Sequence, residues 1–81
     1  MHVDFDDEVG AWFLTLAEAS VASTVHVSDE VAVDLDANGE VIGVEFLLPP
    51  AELGPEVVAV LFARFPVVRT VLAHFQALAV A

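Results

Sequence analysis

Cysteine, tyrosine and lysine are absent from this 81-residue sequence, and its only basic side chains besides three histidines are Arg64 and Arg69. Without cysteine the chain can form no disulfide and offers no thiolate to a metal. Without lysine it has a formal net charge of −11, because its 13 acidic residues, which lie between Asp4 and Glu56, are almost unopposed. Such a charge repels nucleic acid and anionic membranes, so neither is expected as a partner.

Long apolar runs are also missing. The longest uninterrupted run, Val57 to Ala63, is far shorter than the roughly 18 residues that a membrane-spanning helix needs. The N-terminal residues have neither the basic leader nor the apolar stretch of a signal peptide. We therefore expect a cytoplasmic protein that does not contact a membrane.

Apolar residues are nevertheless abundant, at 58% of the chain. This is more than the core of one small domain usually contains. The excess lies in residues 57–81, which contain no acidic residue. We predict a single domain over residues 1–81, in which residues 1–48 form a β-meander and residues 55–80 form a helical tail.

Alternation of apolar and polar residues predicts the strands of that meander, because side chains of a strand point to opposite faces in turn. The alternating stretches are residues 3–5, 11–16, 21–27, 31–35 and 41–48. The pair Asn38-Gly39 between the last two predicts a hairpin, since both residues tolerate the positive φ of tight turns. Short connections favour antiparallel pairing throughout.

The pattern changes after Pro49-Pro50, which ends the sheet because proline cannot donate a hydrogen bond to it. Pro55 and Glu56 are typical of the first turn of a helix. Pro66 either bends that helix or begins a second one. The predicted fold class is thus α+β: an antiparallel β-meander of four to five strands followed by one or two C-terminal helices packed on one face.

Two stretches carry a family resemblance. Residues 6–16, DDEVGAWFLTL, and residues 25–47, VHVSDEVAVDLDANGEVIGVEFL, resemble a widespread bacterial family known only as domain of unknown function 2283. The resemblance covers about residues 3–53 and implies a small meander with no established catalytic residues. Among roles, it implies an antitoxin-like accessory protein. The long apolar tail departs from the family pattern.

One short pattern matches the calcium-binding loop of an EF-hand. Asp34, Asp36, Asn38 and Glu45 stand at ligand positions, and Gly39 stands at the sharp bend. An EF-hand loop joins two helices, whereas strand-like alternation flanks this one. An ordinary acidic hairpin is therefore the favoured interpretation, and divalent cation binding through residues 34–45 is the alternative function. No cofactor is predicted.

The three histidines, His2, His26 and His74, lie in different segments without the spacing of a zinc site. His26 could form an acid-base pair with Asp29 or Glu30, but no nucleophile is evident nearby. We therefore predict no catalytic residue and a protein that is not an enzyme.

An acidic run at residues 4–8 allows two interpretations. It is either a cation site or docking surface for a basic partner, or a solvated turn. Both remain open from the sequence.

The tail supplies the predicted interface, which consists of Leu61, Phe62, Phe65, Leu72 and Phe75. These side chains exceed what one face of a small sheet needs, so we expect a homodimer or the capture of a small basic protein. The alternative is that the helices cover the sheet and form its only core. The sequence as a whole favours an uncharacterised small acidic protein that acts as a protein-protein interaction or accessory module.

Overall fold

The computed structural model describes the backbone of residues 1–80 and the side chains of residues 1–74. Five strands are followed by two helices, which confirms the predicted α+β class. The elements are β1 (His2–Asp6), β2 (Ala11–Thr15), β3 (Ser23–Ser28), β4 (Val31–Leu35), β5 (Val41–Phe46), a short 3-10 helix at Pro50–Glu52, α1 (Pro55–Arg64) and α2 (Pro66–Val80).

The five strands form one antiparallel sheet in the order β1-β2-β5-β4-β3. The last three strands in the chain are a meander, and the hairpin of β1 and β2 joins it by pairing β2 with β5. The connection at residues 16–22 therefore crosses the end of the sheet to reach its far edge. As a result β5 is the central strand, while β1 and β3 are the two edges.

Glycine closes two of the three hairpins, and Asp29 and Glu30 form the turn of the third, between β3 and β4. In the predicted one, Gly39 has φ of 79° and its N–H donates to the Asp36 carbonyl at 3.0 Å. Asn38 keeps a negative φ, so Gly39 alone adopts the left-handed conformation. The Asp36 carboxylate accepts the N–H groups of Asn38 and Glu40, at 2.9 and 3.0 Å. In the first hairpin Gly10, with φ of 68°, fills the equivalent place.

One face of the sheet is apolar, and the helices pack on it. Cross-strand pairs such as Leu14 with Val44, Val33 with Val44, and Trp12 with Phe46 line this covered face. Burial of such side chains is the main favourable term in folding. The core consists of Leu14, Val31, Val33, Val44, Phe46, Leu61, Val68, Val71 and Leu72.

Both helices begin at a proline, which confirms the predicted start at Pro55 and the second of the two alternatives for Pro66. Pro55 follows the extended N-cap Gly54, and Pro66 begins α2 directly after Phe65. The axes of α1 and the first part of α2 differ by 115°, so Pro66 starts a separate helix rather than a gentle bend. Proline fits a first helical turn because its missing N–H would have no partner there. The sharp turn brings both helices onto the same face of the sheet.

The interface predicted on the tail needs a partial correction. Leu61 is 0% and Leu72 is 8% exposed, so both belong to this chain's own core and are not available to another chain. Phe62 and Phe65 are partly buried against that core, and for them the interface remains a prediction. Phe75 lies outside the described side chains. Leu61 and Leu72 are buried in this chain because the apolar face of the sheet has no other cover among the described residues, so both helices pack their apolar side chains on it.

Candidate interaction surface

The face of the sheet opposite the helices has no covering element among the described residues, and we call it the open face. Strand alternation and the pairing register place twelve residues on it: His2, Asp4, Asp6, Ala11, Phe13, Thr15, Thr24, His26, Ala32, Asp34, Gly43 and Glu45. Four of them are acidic and none is lysine or arginine. The two arginines of the chain lie in α1 and α2, so with neutral histidines every formal charge on the open face is negative.

Small residues make the middle of the open face concave. Gly43 pairs with both Thr15 and Asp34, and Ala32 lies between His26 and Glu45 in the neighbouring row. A Cβ atom built on Gly43 would lie 3.6 Å from an Asp34 carboxylate oxygen, so that carboxylate leans over the glycine. Two depressions result, one that includes Gly43 and one that includes Ala32.

The first depression has a volume of about 160 Å³. Its floor includes Gly43, and Phe13 and Asp34 lie at its sides. The connection between β2 and β3 contributes Ala17 and Val21 as an apolar wall. Phe13 is 37% exposed and Val21 is 55% exposed, which leaves apolar surface next to a carboxylate. This arrangement suits the aliphatic stem and cationic end of a long basic side chain.

The second depression, of about 90 Å³, lies beside β3. It brings His26, Asp29 and Glu30 together, as the sequence suggested for an acid-base pair, and adds Glu45 from the central strand. The small side chain of Ala32 leaves room for the recess between these four residues. The sequence predicted that β4 and β5 form a hairpin, but not the register that places Glu45 opposite Ala32 and Ala32 opposite His26. Three acidic residues line this one recess, so its electrostatic potential is negative, an effect that salt screens.

Hydrogen bonds fix some of these acidic side chains. The Thr24 hydroxyl donates to Asp34 at 2.7 Å across two strands. The Ser28 hydroxyl donates to Glu30 at 3.0 Å, and the Glu30 N–H donates to the Ser28 oxygen at 3.1 Å. Each carboxylate keeps further acceptor capacity, since an ionised carboxylate can accept several hydrogen bonds. The negative charges are therefore held in place and still able to bind donors.

The calcium pattern forms a β-hairpin instead of a loop between helices. Asp34 and Glu45 lie within the strands, whereas Asp36 and Asn38 lie in the turn. The Asp36 oxygen that would bind calcium accepts two backbone N–H groups. Across the part of the chain that the structure describes, no three His, Asp or Glu side chains are grouped closely enough to hold a metal ion.

The acidic run at residues 4–8 spans the end of β1 and the first half of the turn between β1 and β2. Asp6 accepts the Glu8 N–H through its side chain at 3.0 Å, and its carbonyl accepts the Gly10 N–H at 2.8 Å. On the edge strand β1, the His2 Nε2 atom lies 3.2 Å from the Asp4 Oδ2 atom. These contacts support the interpretation of a solvated turn, whose two strand residues Asp4 and Asp6 also belong to the open face.

On the other side of the molecule, a groove of about 240 Å³ runs between α1, α2 and the 3-10 helix. Leu61, Phe62 and Leu72 from the predicted interface line it, and Arg69 stands at its border. Nothing in the structure indicates what would occupy this groove.

No single helix among the described residues is long and apolar enough to cross a membrane. Only α1 together with residues 66–74 has the length and composition, and that pair is bent by 115°.

These features define the class of protein: a five-stranded antiparallel sheet with two helices on one face and an acidic open face on the other. The chain belongs to the family described as protein of unknown function (DUF2283), whose model matches residues 2–47. That match contains all five strands and ends before α1. Comparison with curated proteins and with solved structures finds no match.

Proposed function

We propose that this protein is an interaction module that binds a basic segment of a partner protein through its open face. The observation that carries the proposal is the charge of that face, where Asp4, Asp6, Asp34 and Glu45 stand on paired strands with no lysine or arginine among them. Complementary charge speeds association and excludes partners of the same sign. A small basic toxin is one partner of this kind, which is the antitoxin-like form of the proposal.

Exposed Phe13 supports a protein partner over a simple counter-ion. An aromatic ring between carboxylates offers a cation–π contact and apolar area to an arginine or lysine side chain. Interfaces combine such an aromatic centre with a polar border. The open face has both features within two adjacent strands.

Self-association is the competing proposal for the same surface. A second copy would bring another net charge of −11 against the first, and its basic residues lie on the helical side. Like charges placed opposite each other disfavour an interface. The charge therefore favours a basic partner over a homodimer through this face.

A titration with an oligolysine peptide of about eight residues, sufficient to span a strand pair, tests the proposal. Calorimetry at low and high salt should show binding that weakens strongly with salt, because salt screens exposed charges. The double variant Asp34→Asn with Glu45→Gln should bind about fivefold or more weakly, since each exposed ion pair contributes up to about 1 kcal/mol.

The matched control is Glu52→Gln with Glu56→Gln, which removes the same two charges from exposed positions on the helical side. The proposal requires this control to bind the peptide more tightly than the open-face variant does. Equal weakening in both variants would mean that only net charge matters, and would contradict a defined surface.

A further inference from the structure

The two edges of the sheet are protected to different degrees. Edge strand β1 carries Asp4 and Asp6, and charged side chains on an edge discourage another strand from pairing with it. Edge strand β3, with the sequence STVHVS, carries no acidic or basic residue other than His26. Within the described residues β3 pairs with β4 alone, so its outer backbone groups have no strand partner.

The composition of β3 also suits pairing. Valine and threonine, which favour strands, fill half of it. Ser23, Thr24 and His26 are exposed, so the edge is open to solvent although α1 packs nearby on the covered face. Strand addition to an open edge is a common way for a protein to bind an extended peptide.

The side chains of an added strand would meet two different environments. On the open side, the Thr24 hydroxyl donates a hydrogen bond to Asp34, and the Ser28 hydroxyl donates one to Glu30. On the covered side, Val25 and Val27 are partly buried, and Val27 packs against the core. Side chains of a strand point to the two faces in turn. A complementary segment therefore has basic residues at every second position, which face the acids, and apolar residues between them, which face the helices.

Charge decides between a foreign segment and a second copy at this edge. A second β3 would bring no lysine or arginine to Asp34 and Glu30, and would add another chain of net charge −11. We infer that a basic partner segment adds to the β3 edge as a strand with alternating basic and apolar residues. This inference rests on the proposed function and specifies its binding mode.

Two peptides of identical composition test the binding mode. One alternates lysine and valine over about seven residues, a usual strand length; the other has all its lysines before all its valines. The alternating peptide should bind at least about tenfold more tightly, because only it can direct every lysine to the acidic side and every valine to the covered side; two or three cross-strand side-chain pairs are enough for this factor. Its binding should slow amide hydrogen exchange in residues 23–28, not in residues 2–6.

A matched pair of variants locates the effect. Thr24→Lys adds a charge to the β3 edge, and Thr70→Lys makes the same change at an exposed position on α2. The preference for the alternating peptide should disappear in Thr24→Lys and persist in Thr70→Lys. Thr24→Val, which keeps an uncharged branched side chain, should retain the preference.

The remaining outcomes separate the two proposals. Equal, salt-sensitive binding of both peptides would overturn strand addition and leave the proposed function standing. Binding of neither peptide would overturn both. A dimer of the protein without peptide that Thr24→Lys dissociates would also overturn the inference, because the edge would then belong to a second copy.

Discussion

The two faces of one sheet differ here in what surrounds them and in what they can do. The covered face packs Leu14, Val33, Val44 and Phe46 against two helices, and these four side chains are almost fully buried. The open face carries carboxylates and a half-exposed Phe13, held by local hydrogen bonds such as that from Thr24 to Asp34. The buried apolar side chains of the sheet therefore lie mainly on one face, and most of its charged side chains lie on the other.

Removing both helices should have the largest effect on stability, because it uncovers the apolar face of the sheet. A chain ending at Leu53 loses Leu61, Val68, Val71 and Leu72 from the core and exposes the covered face. We expect it to lose cooperative thermal unfolding and to precipitate, because a sheet with an uncovered apolar face has nothing to bury against. A soluble truncated chain with native far-UV circular dichroism would contradict the importance assigned to the helices.

A matched pair of phenylalanine substitutions compares the faces directly. Phe46→Ala should lower the free energy of unfolding by about 3–5 kcal/mol, the usual cost of deleting a buried ring, because Phe46 is 1% exposed. Phe13→Ala should cost about 1 kcal/mol or less, since that ring remains half in solvent. Urea denaturation measures both. Similar losses would mean that the open face is covered in solution.

The hairpin between β4 and β5 is stabilised by hydrogen bonds from its own backbone to the Asp36 carboxylate. Asp36→Ala removes the acceptor for the Asn38 and Glu40 N–H groups and should cost about 1–2 kcal/mol, the range for loss of comparable side-chain caps. Asp36→Asn keeps an acceptor oxygen and should recover most of that loss in the same urea experiment. If Asp36→Asn were as unstable as Asp36→Ala, the negative charge rather than the hydrogen bonds would be responsible.

The smallest expected effect lies in the middle of the open face. Gly43→Ala should raise the free energy of unfolding by about 0.5 kcal/mol, because alanine loses less entropy than glycine in a strand. The added Cβ atom has room, with its closest neighbour, the Leu14 carbonyl oxygen, at 3.4 Å. Calorimetric melting measures the change. Marked destabilisation would show that the central strands cannot relax by the small amount this contact needs.

Local features of the sequence predicted much of the fold. Alternation located all five strands, Asn38-Gly39 located a hairpin, and Pro55 marked the beginning of α1. For Pro66 the sequence left a bend and a second helix as alternatives. The family resemblance is confirmed over residues 2–47. Each of these signals arises from neighbouring residues, through strand geometry or backbone preferences, so it survives in the sequence without knowledge of the fold.

The candidate surface was less accessible to prediction. The sequence suggested that His26 lies near Asp29 and Glu30, which are close along the chain. It gave no indication that Glu45 joins them or that Asp34 leans over Gly43. It also assigned Leu61 and Leu72 to an interface, since apolar composition alone does not distinguish a side chain that packs on its own sheet from one that packs on another chain.

The sequence by itself determined a small acidic α+β chain, its strands and turns, and the start of its first helix, because these depend on composition and on contacts between near neighbours. Only the tertiary structure decided that β5 lies between β2 and β4, that the helices cover one face, and that β3 is an open edge beside carboxylates. Strand order and the covering of one face arise from contacts between residues far apart in the chain. The entropy cost of closing those long loops and the free energy gained by the contacts cannot be read from a local sequence pattern.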